Sequence, residues 1–269
     1  MLECFFVSLA PMHITFFKYQ GTGNDFIIID NRELHFPKEN YSMVAQLCNR
    51  HFGIGADGLI LLENDHNTDF KMVYYNSDGN ESTMCGNGGR CIVAFAKKLN
   101  LFDRKTKFMA IDGLHHAEMN NNIVSLQMID VDEVKVVEDV VFANTGSPHH
   151  IEMVDDLKTY PVFERGRTIR NEVYGEEGSN INFVQQISDD TFQIRTYERG
   201  VEDETLACGT GVTAAAIAMH NTKKTSHNKL NLLVEGGKLQ VSFDYNEGSY
   251  KNIILSGPAE FVFQGSIHI

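Results

Sequence analysis

The sequence predicts an α+β fold of two pseudo-symmetric domains, each a curved, mainly antiparallel sheet wrapped around one central helix. Three observations carry that reading. Short apolar segments bounded by Gly, Asn or Asp recur along all 269 residues, as strands joined by tight turns do. Most of the links between them are too short for parallel crossovers, which take a dozen residues or more. A Cys-Gly-x-Gly signature also appears twice, at Cys85-Gly86-Asn87-Gly88 and at Cys208-Gly209-Thr210-Gly211. Each copy opens a run that is apolar on every side, and a helix without a polar face must be buried.

In chain order, residues 1–11 are apolar but lack the basic start and full apolar stretch of a signal peptide. They read as an extension, with Met12 as the start of the working chain. ITFFKY and FIIID are the first strands. A helix is expected near 39–50, where Tyr41, Val44, Ala45 and Cys48 fall on one stripe. LILLE and FKMVYY follow as strands. Next comes the first buried helix, apolar without interruption from Cys91 to Ala96, and KFMAI and NIVSLQM close the first unit. VKVV and VVFA open the second, and LKTYPVFERGRTIRN predicts a weak helix before or after Pro161. TFQIRTY leads into the second buried helix, apolar from Ala214 to Met219, and LNLLVEG, KLQVSFDY, KNIILSG and EFVF end the chain as strands. The boundary falls at 129/130: residues 1–129 form the N-terminal half, completed by the C-terminal strand 255–269, and 130–254 form the other. Fainter echoes pair Asn24-Asp25-Phe26 with Asn180-Ile181-Asn182-Phe183, and Tyr75-Asn76 with Tyr197-Glu198.

Composition removes several classes of function. With 23 basic against 36 acidic residues and a net charge of −13, the chain lacks the basic face that phosphate backbones require. No apolar run approaches a membrane span, so neither nucleic acid nor membrane is an expected partner, and a cytoplasmic location is expected. Five cysteines without dense spacing read as reduced thiols rather than a disulfide scaffold. Cys4 and Cys48 read as packing residues. Metal binding is not expected. Cys85 and Cys91 are too far apart for a structural zinc pair, and the neighbours in His115-His116 and His149-His150 would point to opposite faces of a strand. FGIGADG lacks the Gly-Lys-Ser/Thr of a phosphate loop, so it is weak evidence for a nucleotide.

A cysteine at a helix start has a definite chemistry. The first backbone N–H groups have no intrahelical partner, and the macrodipole makes that end partly positive. A thiol there is expected to titrate below its usual 8.5 or so. The following glycines let an anion approach the N–H groups. If both helices aim at one cleft, a substrate carboxylate would sit between their ends, with its α-carbon between Cys85 and Cys208. One thiolate would remove the α-proton while the opposite thiol delivers another, so inversion would follow from geometry. A single Cys-Gly is usually a packing or turn feature. Two, each opening a buried helix, favour catalysis.

Longer stretches resemble the diaminopimelate epimerase family: KYQGTGNDFIIID, HFGIGADGLILL, YNSDGNESTMCGNGGRC, NTGSPHH, GSNINFVQ and YERGVEDETLACGTG. CGNG rather than CGHG separates them from the related proline racemase group. The resemblance implies two pseudo-symmetric halves around a cleft and cofactor-independent interconversion of LL- and meso-diaminopimelate, serving lysine and peptidoglycan precursor synthesis. It implies Cys85 and Cys208 as the acid/base pair. It also implies substrate contacts from Asn24, Asn76, Asn180, Glu198 and Arg199, with Gly86-Asn87 and Gly209-Thr210 holding the reacting carboxylate. Glu198 suits the reacting ammonium, and Arg199 suits a distal carboxylate. His149 is carried as an orienting residue, with a plain turn position as the alternative. Ser147, shorter and without an amide donor, stands where many members have Asn, so that distal contact is lost or passes through water. Gly58 stands where some carry a polar residue, and no contact is assigned to it. The partner expected is a small amino-acid substrate, and the sequence leaves a homodimer open. Two rivals remain: another cofactor-independent racemase on the same scaffold, and a non-catalytic amino-acid-binding protein whose cysteines merely pack.

Overall fold

The computed structural model describes residues 13–269, so Cys4, the 1–11 extension and Met12 lie outside the described residues. The first half runs β1 (His13–Gly21), β2 (Asn24–Asp30), α1 (Tyr41–Cys48), β3 (Gly58–Glu63), β4 (Phe70–Asn76), β5 (Glu81–Ser82), α2 (Gly86–Lys98), β6 (Lys105–Ala110), β7 (Gly113–Asn120) and β8 (Ile123–Gln127). After β9 (Val134–Val137) the same order returns. It runs β10 (Val140–Asn144), β11 (Pro148–Met153), α3 (Val162–Glu172), β12 (Asn180–Gln186), β13 (Thr191–Glu198), β14 (Asp203–Thr205), α4 (Gly209–Asn221), β15 (Lys229–Val234), β16 (Gly237–Asn246) and β17 (Ser249–Pro258). The last strand, β18 (Glu260–His268), lies antiparallel to β1.

The pairings repeat as faithfully as the order. β1–β2, β3–β4 and β6–β7 are antiparallel in the first half, as are β10–β11, β12–β13 and β15–β16 in the second. The chain departs from the expected short antiparallel links at β2–β3, β4–β6, β11–β12 and β13–β15, which are parallel. Each parallel pair is joined through a helix, in order α1, α2, α3 and α4, because only a long connection can return the chain to the same end of the sheet. β8 and β17 pair antiparallel with each other, Leu126 opposite Leu255 and Ser125 opposite Ser256. That contact lies on the pseudo-two-fold relation between the halves.

Repeated register corrects one of the sequence echoes. Phe26 pairs with Gly58 and His149 with Asn180, so Asn24 corresponds to Ser147 and Gly58 to Asn180. The Asn76–Glu198 correspondence holds: Gly58 pairs with Asn76, and one residue beyond the Ile181–Tyr197 pair stand Asn180 and Glu198.

Helices α2 and α4 are central, as their all-round apolarity requires. Ile92, Phe95, Val212, Ala215 and Ile217 are fully buried in one core that both halves share. Two further helices pack outside. Val44 and Leu47 of α1 cover Ile27, Leu59 and Leu61. Val162 and Ile169 of α3, which begins directly after Pro161, cover Ile181, Phe183 and Tyr197. Among the described residues no helix is long and apolar enough to cross a membrane.

Candidate active site

The two central helices meet end to end. Cys85 is the N-cap of α2, with an extended backbone, and its Sγ accepts the Gly88 N–H at 3.2 Å. Cys208 is the N-cap of α4, also extended, with its Sγ 3.5 Å from the Thr210 hydroxyl. The glycines that follow touch. A methyl group at Gly86 would stand 3.3 Å from the Gly209 Cα and 2.9 Å from Leu255 Cδ2, and one at Gly209 would stand 3.1 Å from the Gly86 Cα. Only glycine lets the ends approach this closely. Two positive helix ends therefore converge, with a thiol on each.

The thiols do not titrate low, and the expectation from the sequence is corrected here. Burial pushes Cys85 up to about 11 against the pull of the Gly88 N–H, and the Glu198 carboxylate adds to the rise. Burial also pushes Cys208 up to about 12, with Glu198 next, against the Thr210 hydroxyl and the Gly211 N–H. The helix ends act in the expected direction, but desolvation of a thiolate is larger.

Glu198 ends β13, and its charge acts on both thiols. Its carboxylate accepts from the Thr205 hydroxyl at 2.9 Å, and burial, with the Asp57 carboxylate adding, raises its pKa. Asn76, its counterpart in the first half, is exposed. Its backbone closes the NSDGN turn, donating to the Asn80 carbonyl and accepting from the Gly79 N–H. Among the described residues its side chain makes no hydrogen bond.

The other amides are partly spoken for. Asn24 donates to Asp57 at 2.6 Å and accepts from Asn87 at 3.2 Å. Asn87 is buried and also donates to the Ala207 carbonyl at 2.9 Å, so it is a strut between the halves. A carboxylate at this helix end would meet the Asn87 backbone N–H rather than its side chain. Asn180 donates to the Ser147 hydroxyl at 3.0 Å and accepts from the Arg199 N–H at 2.9 Å. The shorter Ser147 thus turns inward to Asn180. The Arg199 guanidinium is exposed and donates to the Glu177 carbonyl at 2.8 Å, leaving its other donors available.

His149 is fully buried on β11, not in a turn. Its Nδ1 lies 3.1 Å from the Asn182 amide nitrogen, which can only donate, so the ring proton is assigned to Nε2. Nε2 has no partner among the described residues. Burial, then the Arg199 charge, pushes its pKa down to about 3.

Sequence reasoning missed several neighbours. Asp57 anchors Asn24 from inside FGIGADG. Tyr74 fills the space at Gly58, where a methyl group would lie 2.6 Å from its ring and 3.1 Å from its hydroxyl oxygen. Asn182 presents its Oδ1 to the first turn of α4, 2.5 Å from where a methyl at Gly211 would stand. Strand alternation could have placed Tyr74 and Asn182, whereas Asp57 lies in the bend before β3, where no sequence pattern fixes it.

A sequence model described as Diaminopimelate epimerase matches residues 16–133 and 141–262. The chain belongs to the diaminopimelate epimerase family. A diaminopimelate epimerase of Flavobacterium psychrophilum is 63% identical over 253 residues, covering 93% of this chain and 99% of that one. One from Aquifex aeolicus is 40% identical, covering 94% and 97%. As a member of the diaminopimelate epimerase family, the chain is an isomerase. Solved structures share the fold at much lower identity. A Bacillus anthracis phenazine biosynthesis protein of the PhzF family matches with a TM-score of 0.77 at 15% identity, covering 96% and 100% of the two chains. A hydroxyproline epimerase from Agrobacterium vitis matches with a TM-score of 0.70 at 12% identity, covering 96% and 93%.

Proposed function

We propose that this enzyme interconverts LL- and meso-diaminopimelate at one α-carbon without a cofactor, with Cys85 and Cys208 as the two proton carriers. The observation that carries this reading is the convergence of two cysteine-capped helix ends, Gly86 against Gly209. The substrate carboxylate is held by the N–H groups of Gly86-Asn87 and Gly209-Thr210. Its ammonium pairs with Glu198. Asn24, Asn76, Asn180 and Arg199 serve the distal end, and His149 orients the wall beneath Arg199. We divide the chain at 129/130, with the last strand completing the first half. The step serves lysine and peptidoglycan precursor synthesis.

The chemistry is balanced and redox-neutral. One thiolate takes the α-hydrogen as a proton and becomes a thiol. The electron pair left on carbon is delocalised into the carboxylate, whose growing charge the helix ends oppose. The other thiol protonates the opposite face and becomes the thiolate. Glu198 raises both thiol pKa values, so pairing it with the substrate ammonium removes a charge that opposes thiolate formation. Binding itself thus readies the base.

Turnover of LL-diaminopimelate in deuterated water tests the reading. Cys85→Ala and Cys208→Ala should each keep the fold and lose at least about a thousandfold in kcat, since each removes one proton carrier. Full turnover in either variant, or solvent exchange on proline or glutamate but not diaminopimelate, refutes it.

A further inference from the structure

The two helix ends match in backbone but differ in charge one turn inward. Counting from each cap, Arg90 of α2 occupies the position of Thr213 in α4. Both are fully buried. The Thr213 hydroxyl donates to the Gly209 carbonyl at 2.9 Å. Arg90 makes the equivalent bond to the Gly86 carbonyl at 3.1 Å, but it brings a cation. Its remaining donors reach Asn87 Oδ1 and the Thr22 hydroxyl at 3.0 Å, with a longer contact to the Pro258 carbonyl. Every one of these acceptors is neutral. Among the described residues no carboxylate balances the guanidinium.

A buried charge without a counter-ion is costly, and arginine cannot shed its proton in a protein. The acidic groups that act on Arg90 are the thiols of Cys91 and Cys85. Cys91 is sealed in the core, and burial holds its pKa far above the usual thiol range. Cys85, at the cleft, is the group left to supply a negative charge.

Resting on the two-thiol reading above, we infer that Arg90 is a positioning residue that breaks the symmetry of the pair, making Cys85 the thiol that ionises first. Around Cys85 stand Arg90 and Cys91 on α2, Tyr74 on β4, Glu198 on β13 and Cys208 at the cap of α4. Arg90 is the cation among them. Cys208 faces Glu198 and Cys85, both negative when ionised, and its own helix α4 carries Thr213 where α2 has Arg90 and holds no lysine or arginine. The nearer surroundings also differ. A methyl at Gly88 would meet Cys85 Sγ, Ile60 Cδ1 and Met72 Cε, whereas one at Gly211 would meet Asn182 Oδ1 and Cys208. On the Gly88 side the wall of Cys85 is therefore apolar, and the charge of Arg90 is little screened there.

Methyl methanethiosulfonate labelling of the intact protein, read by peptide mass spectrometry from pH 6 to 10, tests this without reference to turnover. Across this range, which lies below both thiol values, Cys85 of the wild type should be labelled faster than Cys208 at every pH; the reverse order overturns the inference. Arg90→Met should slow Cys85 labelling about tenfold at pH 8, one unit of pKa, with Cys208 changed less than twofold. Arg90→Lys, which keeps the charge, should restore most of the Cys85 rate. No change in the Met variant, equal slowing of both thiols, or a Lys variant that behaves like Met overturns the role of charge. If the Met variant does not fold, the wild-type order and the Lys variant still decide. Failure to turn over diaminopimelate would sink the proposed function and leave these rates readable.

Discussion

Two titratable side chains at the site are displaced in opposite functional senses by the same force. Burial raises Glu198, with Asp57 adding and the Thr205 hydroxyl too weak to compensate. A carboxylate must be ionised to hold a substrate ammonium, so kcat/KM for diaminopimelate should fall on the acid side with a midpoint above the ordinary glutamate value near 4.3. Glu198→Gln should abolish that limb and lower kcat/KM by about tenfold to hundredfold, the range of a charge-assisted hydrogen bond. An unchanged acid limb in the variant would remove Glu198 from this role. For His149, burial lowers the pKa from 6.5 to about 3, and the ring stays neutral through the working range. The unfolded imidazole takes up a proton below 6.5 while the folded one does not until about 3. Stability from His149 is therefore complete above pH 6.5 and lost as pH falls toward 3, by up to about 1.4 kcal/mol per pH unit. Urea unfolding between pH 6.5 and 5 should show wild type losing stability more steeply than His149→Asn. Parallel slopes would mean that the buried ring is not the source.

At the scale of elements, the helix ends were legible and their surroundings were not. Cys-Gly-x-Gly before an all-apolar run located α2 and α4, because no exposed helix can be built from such residues. The α3 start after Pro161 was legible as one of two options, since proline fits a helix entrance and breaks an interior. β11, PHHIEM, escaped because His149 and His150 are buried polar residues, which hide the alternation that marks a strand. Parallel pairing escaped too: the intervening helices were read, but not that each returned the chain beside its own starting strand. The thiol pKa direction failed for the same kind of reason, since a helix end is visible in sequence and depth of burial is not. The glycine contact gives the sharpest test at this scale. Gly209→Ala places a methyl 3.1 Å from the Gly86 Cα and 3.1 Å from Leu255 Cδ2. The helix ends must part by a few tenths of an ångström, which misaligns two proton carriers that need to flank one atom. We expect kcat to fall at least about a hundredfold, with the protein still folded by circular dichroism. Near-wild-type turnover would show that the close approach is packing alone.

On the scale of the whole molecule, the pseudo-two-fold relation makes the site and the core one object. The Ser125 and Ser256 hydroxyls meet at 2.8 Å where β8 crosses β17. Beside them Leu255 reaches under both helix ends, close to the Cα of Gly86 and of Gly209 alike. Its counterpart Leu126 instead backs Gly89, 3.0 Å from where a methyl there would stand. Leu255 is fully buried in the core that the halves share, so Leu255→Ala opens a cavity between them. The expected cost is about 2–5 kcal/mol. Because α2 and α4 lie in one continuous core and the last strand returns to β1, the loss should appear as one shifted unfolding transition. Chemical denaturation followed by both far-ultraviolet circular dichroism and tyrosine fluorescence should give coincident curves. The same cavity removes the support that sets the spacing of Cys85 and Cys208, so kcat should fall more than KM rises. Two separated transitions would mean that the halves fold independently. An unchanged kcat would mean that the spacing of the thiols is held by the helices alone.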